Sequence, residues 1–206
     1  MLALLLVGCI DEIDPRWQLD HDHIIAARAT PPRIHPGDAT NLDALVAHAN
    51  APVSIENPMT AEVVSAPSTL YADGPTPVEV LLTFPHPSGL DRAALDPYRV
   101  KKTVWLGEPR PNPDLPPVVI DGQPAPAEDA TIALPLERDV YISIDAPEGS
   151  RVNWLTNVGT LFQDDVATAY VRVTAKDRLD GQLVVVLRDS EGGVVWGVWS
   201  VRAQTR

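Results

Sequence analysis

Short apolar stretches with a period of two residues, separated by proline and glycine turns, limit the folds open to this chain. In the clearest stretch, apolar residues take every second position: Val78, Val80, Leu82 and Phe84. Such alternation is typical of a half-buried β-strand. The 206 residues include 21 prolines, about twice the usual share, which excludes long helices. Strand patterns recur roughly every 8 to 15 residues without helices between them, which predicts an antiparallel all-β fold.

Chain length and the distribution of prolines predict two domains in tandem. The 206 residues accommodate two β-sandwiches of about 100 residues each. Five prolines fall within residues 109–117, and such a segment is stiff and extended. We therefore predict a first sandwich over residues 24–108, a junction over 109–117 and a second sandwich over 118–206. Residues 88–96 carry the only pattern of helical turns.

Four segments of the second half follow a recognisable order: Val152-Asn153-Trp154, Val158-Gly159-Thr160, Ala167 to Val171, and Val184 to Asp189 with Gly192-Gly193. This order resembles bacterial immunoglobulin-like or PKD-like domains. The resemblance implies that Trp154 lies on a central strand and packs in the core. The first half is similar to the opening of such domains in residues 29–31 and 36–38. The chain has a single cysteine, so it lacks the paired core cysteines of antibody domains.

The first nine residues, MLALLLVGC, form a short apolar run that ends in that single cysteine. The sequence Leu6-Val7-Gly8-Cys9 resembles the lipobox of bacterial lipoproteins, and acidic residues follow it at once. The resemblance implies transfer of diacylglyceryl to the Cys9 sulfur, removal of residues 1–8 and acylation of the new amino end. With Ile10 after the cysteine, it also implies location in the outer membrane. Residues 9–23 would then form an acidic tether.

One feature leaves the anchor open to other interpretations. No Lys or Arg precedes Cys9, whereas an export signal begins with a basic segment. A start codon placed too far downstream would explain this difference. Otherwise the apolar run is an ordinary first strand or a non-lipid export signal, and Cys9 has no role in anchoring. Lipobox and sandwich pattern together make the chain similar to uncharacterised surface lipoproteins of myxobacteria-like organisms.

Composition and missing motifs argue against several classes of function. The formal net charge of −12 repels phosphate backbones, so we expect no nucleic-acid partner. A single cysteine leaves no intramolecular disulfide and no cysteine-based zinc cluster. The sequence contains no G-x-S-x-G nucleophile elbow and no glycine-rich phosphate loop. We therefore predict a non-catalytic protein without a cofactor.

The candidate metal ligands are a histidine pair and a carboxylate pair. On a strand His21 and His23 would share a face, as two ligands require, but the sequence shows no third ligand nearby. Asp164 and Asp165 lie in a predicted loop, and calcium takes six to eight oxygens from such loops. Bonds from turn aspartates to the backbone explain the same pattern. We predict no metal site.

The aromatic residues offer the candidate partner contact. Trp196 and Trp199 are three apart on a predicted strand, so they face opposite sides. One would enter the core, and the other would join Tyr170 in a contact patch or pack against the other domain or a loop. We therefore predict a lipid-anchored, non-catalytic cell-envelope protein, with a structural role or an envelope protein as partner. The alternative is a carbohydrate-binding or accessory module of a secreted or surface enzyme system.

Overall fold

The computed structural model describes residues 15–70, 74–85 and 98–204. These residues form strands and no helix, which confirms the all-β prediction. Cys9 and the predicted helical turns over residues 88–96 lie outside the described residues. The strands are β1 (His23–Thr30), β2 (Arg33–Ile34), β3 (Asn41–His48), β4 (Ala51–Glu56), β5 (Thr60–Ser65), β6 (Thr76–Phe84), β7 (Tyr98–Leu106), β8 (Val119–Ile120), β9 (Gln123–Pro124), β10 (Thr131–Pro135), β11 (Asp139–Ser143), β12 (Arg151–Thr156), β13 (Thr160–Phe162), β14 (Thr168–Arg172), β15 (Asp180–Arg188) and β16 (Val194–Gln204).

Hydrogen bonds join these strands into four sheets. Sheet I has the strand order β1-β3-β4 and sheet II the order β2-β7-β6-β5. Sheet III has the order β10-β16-β15-β12 and sheet IV the order β13-β14-β11-β8-β9. Neighbouring strands are antiparallel except for β2 with β7 and β10 with β16, which are parallel. The segment predicted as a junction, 109–117, lies between the last strand of sheets I and II and the first strand of sheets III and IV.

The four sheets stack as layers in the order II, I, III, IV. A first core lies between sheets I and II and includes Val46, Leu82 and Phe84. A second core lies between sheets III and IV around the fully buried Trp154. A third apolar cluster fills the space between sheets I and III, and we call it the seam: Leu19, Ala26, Leu45, Ala47, Leu155, Val184, Val186, Val194 and Trp196. The packing is thus sandwich-like within each half, and the two middle sheets are covered on both faces.

Strand β15 shows what this stacking demands of the sequence. Its residues 183–187 are buried without interruption, because alternate side chains enter the second core and the seam. An antiparallel strand with one wet face alternates apolar and polar residues instead. Strand β3 repeats the pattern, with Ala44 and Val46 in the first core and Leu45 and Ala47 in the seam. A contiguous apolar run therefore marks each strand that is covered on both sides.

Within the tether predicted over residues 9–23, the described residues Trp17 and Leu19 are hydrogen-bonded to the second half of the chain. The Leu19 amide donates to the Thr156 carbonyl at 3.2 Å, and the Thr156 amide donates to the Trp17 carbonyl at 2.9 Å. Leu19 is buried in the seam. Strand β12 is an edge of sheet III and offers unpaired backbone groups, so burial of these apolar residues overrides the acidic composition around them.

The junction segment is fixed to both halves by one side chain. The Asn112 Nδ2 donates to the Ala29 carbonyl at 2.8 Å, and its Oδ1 accepts from the Val194 amide at 2.8 Å. Leu115, three residues further on, packs against the second core. The proline-rich segment therefore holds the two halves together through polar and apolar contacts.

Candidate functional site

The two tryptophans predicted as partner contacts are both buried. Trp196 is 8% exposed and Trp199 is 4% exposed. Trp196 lies in the seam, where the Arg28 guanidinium carbon stands 3.9 Å from its ring centroid. Trp199 lies in the second core, and its Nε1 donates to the Pro126 carbonyl at 2.9 Å. The side chains face opposite sides of β16 as predicted. Of the two alternatives for the second tryptophan, the contact patch is wrong and packing against the other half is confirmed, because sheet I covers that face.

Tyr170, in contrast, lies at the centre of three aromatic side chains on the outer face of sheet IV. The strand register places Phe162 of β13 and Tyr141 of β11 directly opposite it. The rings of Phe162 and Tyr170 are stacked, with centroids 4.6 Å apart and an interplanar angle of 9°. The Tyr141 and Tyr170 centroids are 5.8 Å apart, with the rings tilted by 46°. We call Tyr141, Phe162 and Tyr170 the aromatic row.

Strand alternation explains why the aromatic row points away from the core. The chain neighbours of these residues within their strands are buried in the second core: Val140, Ile142, Leu161, Ala169 and Val171. Tyr141 is 57% exposed and Phe162 is 39% exposed, so the row forms an apolar surface at the outside of the stack. The same alternation in the sequence would have revealed Tyr141. Phe162 was harder to find, because β13 has only three residues.

Charged side chains flank the aromatic row. Arg172 Nε lies 2.7 Å from Asp139 Oδ1. These two residues pair across β14 and β11, two positions along each strand from Tyr170 and Tyr141 and on the same face of sheet IV. Asp121 accepts from the Tyr141 amide at 3.1 Å and forms an ion pair with Arg138. Apolar centres with polar rims are typical of protein interfaces. The outer face of sheet IV has this arrangement on a small scale.

A second notable region lies next to the seam and contains the buried Lys102 and the half-buried Arg188. The Lys102 Nζ donates to the Gly192 carbonyl at 2.6 Å. Burial, and then the nearby Arg188, lower the pKa of Lys102 from 10.5 to about 8, although Asp189 acts in the opposite direction. Burial also lowers the pKa of the Arg188 guanidinium, with a further contribution from Arg151.

The histidines predicted as possible ligands contact each other. The rings of His21 and His23 stack with centroids 4.4 Å apart, and His23 Nδ1 lies 3.0 Å from the His21 carbonyl oxygen. Burial is the main reason why the pKa of His23 is lowered from 6.5. Within residues 15–70, 74–85 and 98–204, no group of three or more His, Cys, Asp or Glu side chains is arranged to hold a metal ion.

Comparison with known proteins identified no relative of this chain. No family model, no curated protein and no solved structure matches this chain. In the part of the chain that the structure describes, no helix has the length and apolar character needed to cross a membrane. The described surfaces therefore guide the proposal of a function, and the aromatic row is one of them in which exposed aromatic rings contact each other.

Proposed function

We propose that this chain is a lipid-anchored, non-catalytic protein of the cell envelope that binds a protein partner through the aromatic row. The single observation that carries the proposal is the exposure of Tyr141 and Phe162 on the outer face of an end layer. Aromatic side chains are enriched at protein interfaces, because on binding they bury a large area and lose little conformational freedom. Lipidation at Cys9 would hold this surface at the outer membrane.

We also propose that residues 118–206 have immunoglobulin-like topology. If strands β8 and β11 to β16 take the labels A to G, sheet IV has the order D-E-B-A and sheet III contains C-F-G. This is the division of strands in constant-type immunoglobulin domains, and a buried tryptophan on strand C, here Trp154, is one of their features. In the first half, β4 follows β3 directly within one sheet, so that half departs from the pattern.

The ring geometry favours a protein partner over a carbohydrate. A sugar packs on the open face of an aromatic ring. In the stacked pair of Phe162 and Tyr170 each ring covers one face of the other, so two of the four ring faces are closed to a sugar. The carbohydrate-binding alternative is favoured by one residue, since Tyr141 is more than half exposed and is not stacked face to face. Both functions use the same surface, so variants of the row distinguish them.

The anchor is tested by the mass of the N-terminal peptide from isolated membranes. We expect a peptide that begins at Cys9 and carries diacylglyceryl and acyl groups. The matched variant Cys9→Ser should leave the protein soluble and unmodified. An unmodified Cys9, or an intact Met1, would exclude the lipid anchor.

The contact surface is tested by a photo-crosslinking amino acid introduced at position 162 in cells. Position 179 is the matched control, because Leu179 is similarly exposed but lies beside sheet III, where its carbonyl accepts from the Ala203 amide. We expect one defined crosslinked protein at 162 and none at 179, and Tyr141→Ser should reduce its yield. Equal crosslinking at both positions would contradict the protein-binding proposal. Binding to a glycan array that is lost in Tyr141→Ser would support the carbohydrate alternative.

A further inference from the structure

A cleft of about 380 Å³ opens between the segment before β1, strand β12 and the loop after β13. Its size falls within the range of small-molecule sites. Charged side chains of both signs line it, Arg16, Arg188, Asp164 and Asp165, together with the titratable His23 of β1. It is distinct from the aromatic row, which lies on the outer face of sheet IV.

Arg188 is the best-defined of these charges. It is half-buried, and its guanidinium donates to Asn153 Oδ1 at 2.6 Å and to the Ile25 carbonyl at 2.9 Å. Both acceptors are neutral, and no ion pair of Arg188 occurs among the described residues. A partly desolvated cation without an anionic partner is unfavourable in the empty protein. A carboxylate in the cleft would remove that cost.

The opposite charges in the cleft do not neutralise each other. Asp164 and Asp165 line the same cleft as Arg188, yet neither side chain forms an ion pair among the described residues, and the hydrogen bond of Asp164 is made by its backbone carbonyl, which accepts from the Trp154 amide. A simple anion would meet these two carboxylates, and a simple cation would meet the guanidinium groups. A ligand that carries both charges satisfies the two sides at once, because each of its groups faces the complementary sign.

We propose that this cleft binds an α-amino acid as a zwitterion. Arg188 and Arg16 receive the carboxylate of the ligand, and Asp164 and Asp165 receive its ammonium group. Charge-assisted hydrogen bonds of this kind each change affinity by roughly 10- to 100-fold. The site requires both halves of the chain, because Ile25 of sheet I helps to fix the Arg188 side chain.

Calorimetric titration of the full chain tests this site, with glycine, L-leucine, acetate and methylammonium as probes. We expect L-leucine or glycine to bind at least about 10-fold more tightly than either singly charged probe. Equal affinity for acetate would indicate a plain anion site and overturn the proposal, as would the absence of any binding.

Variants locate the binding and separate it from folding. The double variant Asp164→Asn with Asp165→Asn should weaken amino-acid binding at least about 10-fold and leave the unfolding transition near that of the wild type. Arg188→Lys should weaken it similarly, because Lys lacks the planar fork. Arg202→Gln, at the opposite end of the β15–β16 pair from Arg188, is the matched control and should bind normally. Unchanged binding in the double variant would overturn the assignment.

Discussion

The seam and the outer face of sheet IV are both sheet surfaces that carry aromatic side chains, yet those of the seam are buried and those of the outer face are exposed. Trp196 of sheet III is buried against sheet I and the Arg28 guanidinium, whereas none of the described sheets covers Tyr141 of sheet IV, which is exposed. The residue types are alike, and both sit on regular strands. The comparison shows that the covering layer decides whether an aromatic residue stabilises the fold or offers a contact surface.

Removal of one aromatic side chain from each surface gives the largest expected contrast. Trp196→Ala should lower the free energy of unfolding by about 3–5 kcal/mol, because it leaves a cavity in the seam. Tyr141→Ala should lower it by less than about 1 kcal/mol, because that side chain is already solvated. Urea denaturation measures both values. Equal effects would contradict the four-layer packing.

The buried Lys102 next to the seam predicts that stability depends on pH. The pKa of Lys102 is about 8 in the folded protein against 10.5 for the ordinary side chain, so the unfolded chain binds more protons between these values. The free energy of unfolding should therefore rise with pH across this window, by up to about 3 kcal/mol. In Lys102→Met this rise should disappear. A rise of the same size in the variant would assign it to other groups.

The junction side chain tests how the two halves are held. Asn112→Ala removes the acceptor of the Val194 amide and should lower the free energy of unfolding by about 1–3 kcal/mol. Hydrogen exchange at the Val194 amide should accelerate in the same variant. Asn50→Ala, in an exposed turn, serves as the matched control and should change neither measurement. Normal protection of Val194 in Asn112→Ala would show that this bond is dispensable.

The smallest effect is expected within the aromatic row itself. A double-mutant cycle of Phe162→Ala and Tyr170→Ala should give a coupling energy of about 0.5–1 kcal/mol, because the two rings are stacked cross-strand neighbours. Denaturation of the two single variants and the double variant measures it. A coupling energy of zero would mean that the rings do not interact in solution, and it would weaken the comparison with the seam.

Strand β6 and the core tryptophan followed from local pattern alone. Alternation over residues 78–84 predicted a strand that the structure contains as β6, and Trp154 is buried as expected. The burial of both Trp196 and Trp199 could not be predicted in this way, because alternation indicates on which side of a strand a residue lies and not what covers that side. The apolar run over residues 183–187 indicates a strand that is covered on both faces, because such a run has no polar side for water.

By itself, the sequence determined an all-β chain with a proline-rich segment between two groups of strands. It did so because alternation, proline and turn residues act over a few positions. The stacking of sheet I on sheet III, the burial of Trp196 and the assembly of the aromatic row were decided only in the tertiary structure. They depend on contacts between segments far apart in the chain, such as Ile25 with Arg188, and no local pattern encodes such a pairing.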